Sequence, residues 1–252
     1  MLGLNLKHHQ EFKDILKNYQ ISERAKKVLE GLKLVLMVAP TSTGRNTIIR
    51  HLIDNLDYYF IISDTTRLPQ MRDGKMEESG VHYFFRSEEE ILADLKAGEF
   101  LEAAIIHEQQ VSGISIRELE KAEKQNKIAV TDIEIVGADN IMRVYPQAKA
   151  VFLVPPSFEE WQKRIVGRGF MNDQELKNRL LSASREFAAA LQNDYYHFIV
   201  AEDVKQSALI VEAIANGKSN PHQGRGRELI NRLQFDLAQK LEAMGEGQGW
   251  HS

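Results

Sequence analysis

The residues whose types and spacing best suit chemistry lie at positions 39–47, Ala39-Pro40-Thr41-Ser42-Thr43-Gly44-Arg45-Asn46-Thr47, directly after the apolar run Leu34-Val35-Leu36-Met37-Val38. A loop of this kind, in its common form G-x-x-x-x-G-K-[ST], lets backbone N–H groups close round phosphate oxygens. Its lysine reaches the β/γ-phosphates and its hydroxyl holds Mg²⁺. Here Gly44 and the strand-loop-helix setting are retained. Arg45 takes the place of the lysine, Asn46 that of the hydroxyl and Ala39 that of the first glycine, while Ser42 stands where some loops of this kind carry a further glycine. The chemistry expected is binding of nucleotide phosphates by Thr41, Ser42, Thr43, Gly44, Arg45, Asn46 and Thr47. A guanidinium is broader than an ammonium and planar, and an amide oxygen still ligates a hard cation.

Other chemistries fit less well. The histidines show no metal-ligand spacing: His8 and His9 are adjacent, and His51, His82, His107 and His197 are scattered. No G-x-S-x-G or comparable nucleophile motif occurs. Asp132 with Glu134 reads as strand-end support for Mg²⁺ or a nucleotide rather than as a glycosidase pair. The absence of cysteine excludes disulfides, thiolate metal sites and a cysteine nucleophile. Lysine plus arginine at 32 against aspartate plus glutamate at 36 gives a net charge of -4. That leaves no excess to draw the chain to nucleic acid or anionic lipid, so neither is an expected partner. The segment Met1 to Gln20 carries Lys7, Glu11, Lys13, Asp14 and Lys17 and lacks the apolar core of a signal peptide. No run approaches the roughly 18 apolar residues of a membrane span, and a cytoplasmic protein is expected.

The elements that must position the loop follow from hydrophobic pattern. With 252 residues and 43% hydrophobic content the chain can bury a sizeable core. Leu34 to Val38 is a continuous apolar run, as for a strand buried on both faces of a parallel sheet, and Thr47 to Leu56 has a helical apolar period. Tyr58 to Ile62, Ile128 to Ile133, Ala150 to Val154 and His197 to Val200 read as further buried strands, with helical stretches between them. This alternation predicts a helix-covered parallel sheet of the α/β class, with ligands at the carboxyl ends of the strands, where the loop sits. From Ser63 to about Gly113 the rhythm breaks: Gly74, Gly80, Gly98 and Gly113 punctuate short segments around Tyr83-Phe84-Phe85, as expected for a small inserted lobe of strands and turns. Phe158 to Leu191 is a helical, arginine-bearing stretch broken at Gly167-Arg168-Gly169. Leu4 to Gly31 predicts two short amphipathic helices, and Gly217 to Pro221 a linker. Arg227 to Met244 predicts a terminal amphipathic helix, and Gly245 to Ser252 a disordered tail.

Taken in order, Ala39 to Thr47, Thr65-Thr66-Arg67-Leu68-Pro69, Gly80-Val81-His82-Tyr83-Phe84-Phe85, Gly98-Glu99-Phe100-Leu101-Glu102, Asp132-Ile133-Glu134, Pro155-Pro156-Ser157, and Arg164 with Gly167-Arg168-Gly169 resemble the guanylate kinase family. The resemblance runs from about Leu34 to about Gly217. It implies a P-loop NTPase-type three-layer α/β fold with a parallel central sheet, an inserted monophosphate-binding lobe at about 63–115 and a helical lid at about 164–190. These would lie in one domain at 32–217, with an N-terminal helical extension at 1–31 and a linker, helix and tail at 218–252. The activity implied is transfer of the ATP γ-phosphoryl group to GMP, with Mg²⁺ accompanying ATP.

By the same resemblance, Ser63 and Arg67 match the residues that hold the monophosphate's phosphate, and Tyr83 the tyrosine that hydrogen-bonds it. A guanidinium fork grips phosphate oxygens bidentately and hydroxyls fill the remaining acceptors. Glu102 matches the carboxylate that reads guanine, since an acceptor-only group suits its donor pair of N1–H and exocyclic amine. Arg72, Ser115 and Glu134 complete the implied GMP set. Arg164, Arg168 and Arg179 match three lid arginines that contact donor and acceptor phosphates and, with Arg45, form the implied catalytic set. Asn46 and Asp132 are the implied Mg²⁺ ligands. Taken singly, Ser63 reads as a turn residue, Tyr83 as core, Glu102 as a solvated charge and Arg164 as the helical partner of Glu160. It is their order that gives them roles.

The chain departs from the family at Gln70, where a second arginine is expected, with Arg72 two residues on in a lobe about four residues longer. It departs again at Ser112 in place of a tyrosine, at Glu134 in place of an aspartate, and at Ala201 in place of an asparagine. Three readings follow: a GMP kinase, a catalytically silent nucleotide- or protein-binding module in which Arg45 and Asn46 have ended turnover, or a kinase of altered nucleotide preference. The terminal helices offer a surface for a protein partner or for self-association.

Overall fold

The structure is a computed structural model that describes residues 6–72, 74–167 and 172–246. Helices α1 (His9–Lys17) and α2 (Glu23–Glu30) lead into β1 (Leu34–Val38), the loop, and α3 (Arg45–Asn55). There follow β2 (Tyr58–Phe60), β3 (Asp64–Thr65), β4 (Met71–Arg72), β5 (Lys75–Met76), β6 (Phe84–Phe85), α4 (Glu88–Lys96), β7 (Phe100–Ile106), β8 (Gln110–Ser115) and α5 (Ile116–Lys124). The chain continues through β9 (Ile128–Asp132), α6 (Ile135–Val144), β10 (Lys149–Val154), α7 (Phe158–Val166), α8 (Asp173–Leu191), β11 (Tyr196–Val200), α9 (Val204–Ala215) and α10 (Gln223–Glu246).

Two compact units result. One comprises the N-terminal segment to Leu34 with Asp57–Thr131 and Asp139–Ala148; the other comprises Val35–Leu56, Asp132–Ala138 and the chain from Lys149 on.

In the second unit β1, β10 and β11 lie side by side and parallel, with Leu36 opposite Ala150 and Phe152 opposite Phe198. Every residue of β1 is buried, which is why its sequence is apolar without alternation. Helix α3 packs against α9, and α10 against α8 and β11. The outer edge of β11 is closed by side chains. Gln223 donates to the Tyr196 carbonyl (2.9 Å) and accepts from the Phe198 amide (3.0 Å), while Asn220 donates to the Phe198 carbonyl (2.8 Å). These contacts start α10 at Gln223, four residues ahead of the expected Arg227, and the helix continues through Gly245 and Glu246, which the sequence assigned to a disordered tail. The rest of that tail lies outside the described residues.

In the first unit β2 runs parallel to β9, as the buried-strand pattern predicts. Residues 63–115 form a mixed sheet in the order β6-β3-β8-β7, in which β8 runs antiparallel to both β3 and β7, and β4 and β5 pair separately as a small antiparallel hairpin. The inserted segment also contains α4, a helix the pattern of strands and turns did not anticipate. Its signature is present as a capping box: Ser87 accepts from the Glu90 amide, and the Glu90 carboxylate accepts from the Ser87 amide. Helix α1 packs on α4 and β7 through a cluster of Leu6, Phe12, Ile91, Leu92, Leu95, Phe100 and Val111.

Candidate active site

The loop after β1 curls tightly. Thr43 donates to the Pro40 carbonyl from both its amide (3.3 Å) and its hydroxyl (2.8 Å). Gly44, at φ +102°, caps α3, and its carbonyl receives the amides of Thr47 and Ile48. Ser42, standing where some loops of this kind carry a further glycine, takes φ +63°, a left-handed conformation that disfavours a side chain. It is only 7% exposed and its hydroxyl has no hydrogen-bond partner. The first turn of α3 carries no acid, so its amides and partial positive charge stay available to an anion.

Arg45 starts α3. One guanidinium nitrogen lies 3.3 Å from the Ile133 carbonyl and another 3.4 Å from the Asp132 carboxylate. Asn46 and Thr47 follow, both exposed. Two side chains of α7 bond to the loop itself: Trp161 Nε1 donates to the Thr41 carbonyl (2.8 Å) and Arg164 to the Thr43 carbonyl (3.4 Å). Arg164 therefore turns to the loop, and Glu160 pairs instead with Lys163 (3.2 Å). Arg179 pairs along α8 with Glu175 at 2.6 Å. Arg168 and Gly169 lie outside the described residues. Glu134 is exposed in the same unit as the loop. It raises the neighbouring Glu186 carboxyl, which burial raises most and which a Ser182 hydrogen bond and Arg45 pull down.

In the first unit Arg67 lies against one other member of the expected monophosphate set, Tyr83. Its guanidinium lies 5.2 Å above the Tyr83 ring and 5.7 Å from that of Phe85. Its Nη2 is 2.8 Å from Glu77, a carboxylate only 6% exposed that also accepts the Gln70 amide at 3.0 Å. Burial opposes charge on Glu77, but the bonds from Arg67 and Gln70 prevail and hold its carboxyl below the usual range. Ser63 precedes β3, and its carbonyl takes the Phe84 amide. Next to it Asp64 is fully buried between Arg86 (3.0 Å) and Arg117 (2.8 Å). Burial raises its carboxyl against the pull of both arginines. Arg72 lies in β4, but its side chain is outside the described residues.

Glu102 sits on β7 opposite Ile114, just past a β-bulge at Phe100/Glu102, and Ser115 stands opposite Phe100. Gly113 is required here: a Cβ would come within 2.5 Å of the Glu102 carbonyl. Ser115 ends β8 and immediately precedes α5, 1% exposed, with its hydroxyl unpartnered. Ser112 donates to the Thr65 hydroxyl at 2.8 Å. Among the described residues no group of three or more His, Asp or Glu side chains could hold a metal ion on its own, and no helix is long and apolar enough to cross a membrane.

A family model described as guanylate kinase matches residues 31–216. The chain belongs to the guanylate kinase family. Guanylate kinase of Clostridioides difficile is 37% identical over 211 residues, covering 83% of this chain and 99% of the relative. That of Corynebacterium diphtheriae is 36% identical over 188 residues, 74% of this chain and 95% of the relative. The crystal structure of guanylate kinase from Anaplasma phagocytophilum superposes with a TM-score of 0.53 at 26% identity, covering 74% of this chain and 85% of that one. The guanylate kinase match leaves α1, α2 and α10 outside it. Within it, the sequence reading missed Glu77, Trp161, Asp64 and Glu186. Of these only Trp161 carried a signal, three residues before Arg164 on one helical face.

Proposed function

We propose that this member of the guanylate kinase family transfers the γ-phosphoryl group of ATP to GMP. The observation that carries the reading is the seating of Arg67. Its guanidinium is stacked over Tyr83 and bound on one side by a buried carboxylate, an arrangement suited to presenting its remaining donors to a phosphate. Ser63 and Tyr83 add hydroxyls for the same phosphate, and Arg72 a second cation. Glu102 takes the N1–H and exocyclic amine of guanine, and Ser115 and Glu134 complete the nucleotide's contacts.

The donor binds on the loop. Backbone groups from Thr41 to Thr47 surround the phosphates, and Arg45 neutralises β/γ charge in the position usual for lysine. Phosphoryl transfer asks little covalent help of a protein, and positioning with charge neutralisation supplies most of the rate. Arg164, Arg168 and Arg179 serve that purpose as lid residues. The donor set also fits a hard cation: the Asn46 amide and Thr47 hydroxyl, exposed at the start of α3, and the Asp132 carboxylate all offer oxygen. Mg²⁺, when bound with ATP, screens phosphate charge.

The test is base selectivity. Glu102→Gln should lower kcat/KM for GMP roughly tenfold or more while leaving the KM for ATP unchanged, because the guanine N1–H and amine then lose a charged acceptor and meet an amide that also donates. Unchanged GMP kinetics in that variant would remove Glu102 from the site.

A further inference from the structure

The segment ahead of residue 31 lies outside the family match, yet it is fastened to the strand that carries Glu102. The Tyr19 hydroxyl donates to the Phe100 carbonyl and accepts from the Phe100 amide, both at 2.8 Å. Strand β7 is the outer member of its sheet, so these are the two groups that a further strand would pair. One hydroxyl takes both. The β-bulge follows at once, between Phe100 and Glu102, and a bulge re-aims the side chain beside it.

The next residues of the extension continue the attachment. The Ser22 amide donates to the Gly98 carbonyl (3.0 Å), the Ser22 hydroxyl to Glu99 (3.1 Å), and Arg24 pairs with Glu99 and Glu120. Gly98 has φ +72°, and a Cβ on it would stand 2.6 Å from the Ser22 nitrogen, so the approach is as close as a backbone permits. Beneath it Phe12 is fully buried against Leu95, Phe100 and Val111. Burial pushes the Tyr19 phenol up to about 12, which keeps its proton in place through neutral pH.

We propose that Tyr19 is a positioning residue for base recognition: by standing in for a neighbouring strand at Phe100 it fixes the bulge, and with it the aim of the Glu102 carboxylate at guanine. The proposal rests on the role given to Glu102 above, and the two are separable. Glu102→Gln in the full chain, assayed with GMP and with IMP, which lacks the exocyclic amine, tests that role alone.

Tyr19→Phe then keeps the ring and removes the hydroxyl. Amide exchange at Phe100 should accelerate, and the preference for GMP over IMP in kcat/KM should fall roughly fivefold, the equivalent of one ordinary hydrogen bond. The KM for ATP and the kcat at saturating GMP should hold. Arg24→Gln, which loosens the same extension without touching Phe100, should leave the preference unchanged. Faster exchange at Phe100 with an unaltered GMP/IMP preference would overturn the proposal, as would an equal loss of kcat with both nucleotides. Where Tyr19→Phe does not fold, Tyr19→His, which keeps a ring but is shorter and carries no hydroxyl to Phe100, is read for the same preference; an unchanged value overturns the proposal.

Discussion

The guanidinium of Arg45 lies 3.4 Å from the Asp132 carboxylate and 3.3 Å from the Ile133 carbonyl. The residue that replaces the usual lysine is thus tied to the carboxyl end of β9 rather than loose in solvent. A fork of donors can hold these oxygens and still present another nitrogen, which a single ammonium does less well. The pair is long and partly exposed, so its contribution to stability is small. Arg45→Ala should therefore leave the melting temperature nearly unchanged and lower kcat by about 10²- to 10³-fold, the usual effect of removing one preorganised charge contact. Thermal unfolding beside steady-state kinetics separates the two effects. A large fall in stability with little change in kcat would make Arg45 structural.

The Arg67–Glu77 pair should be visible in pH dependence. The Glu77 carboxyl is held below its ordinary value in the fold, so the pair's stabilisation is complete above the unfolded value of about 4.3 and is lost as pH falls through the folded one. The gap in melting temperature between the native chain and Glu77→Gln should be constant from pH 7 to about 5 and narrow below about 4. At neutral pH the variant should also raise the KM for GMP several-fold, since Arg67 loses the partner that orients it. A gap independent of pH would contradict this account of Glu77.

Ser42→Gly should stabilise the protein. It removes a side chain held at φ +63° and a buried hydroxyl without a partner, each worth on the order of 1 kcal/mol or more. Chemical denaturation should show a gain of about 1 kcal/mol after the added backbone entropy of glycine is subtracted. A loss would mean that the hydroxyl finds a partner in solution.

Much of the fold was legible because burial on both faces leaves an uninterrupted apolar run: β1 matches Leu34 to Val38 residue for residue, and β9, β10 and β11 fall within a residue of their expected limits. Strand β2 is shorter than its run, since only Tyr58 to Phe60 pair with β9 as strand. The segment Ala39 to Thr47 and Arg67 stand out in the sequence as local motifs. Glu77 does not, because its partner lies across a hairpin and no periodicity links the two. Tyr19 was hidden for the same reason, with Phe100 81 positions away. Helix α4 could have been read from Ser87 and Glu90, but the glycines around it suggested turns. Arg179 meets Glu175 one turn away on its own helix, a pairing that spacing alone predicts.

The cap on β11 carries a further expectation. Gln223 satisfies both the Tyr196 carbonyl and the Phe198 amide, so Gln223→Ala strips two bonds from an outer strand and exposes its edge. A loss of about 2 kcal/mol in denaturation is expected, with faster aggregation on heating by light scattering. Unchanged stability would show that α10 holds the strand by packing alone.

The central claim is that a loop bearing Arg45 and Asn46 still supports transfer to GMP. A coupled ADP-release assay with ATP, Mg²⁺ and GMP, run on the native chain beside Arg45→Lys/Asn46→Ser, tests it most directly. Clear GMP-dependent turnover by the native chain is predicted, whereas no turnover in the native chain with recovery in the double variant would contradict it.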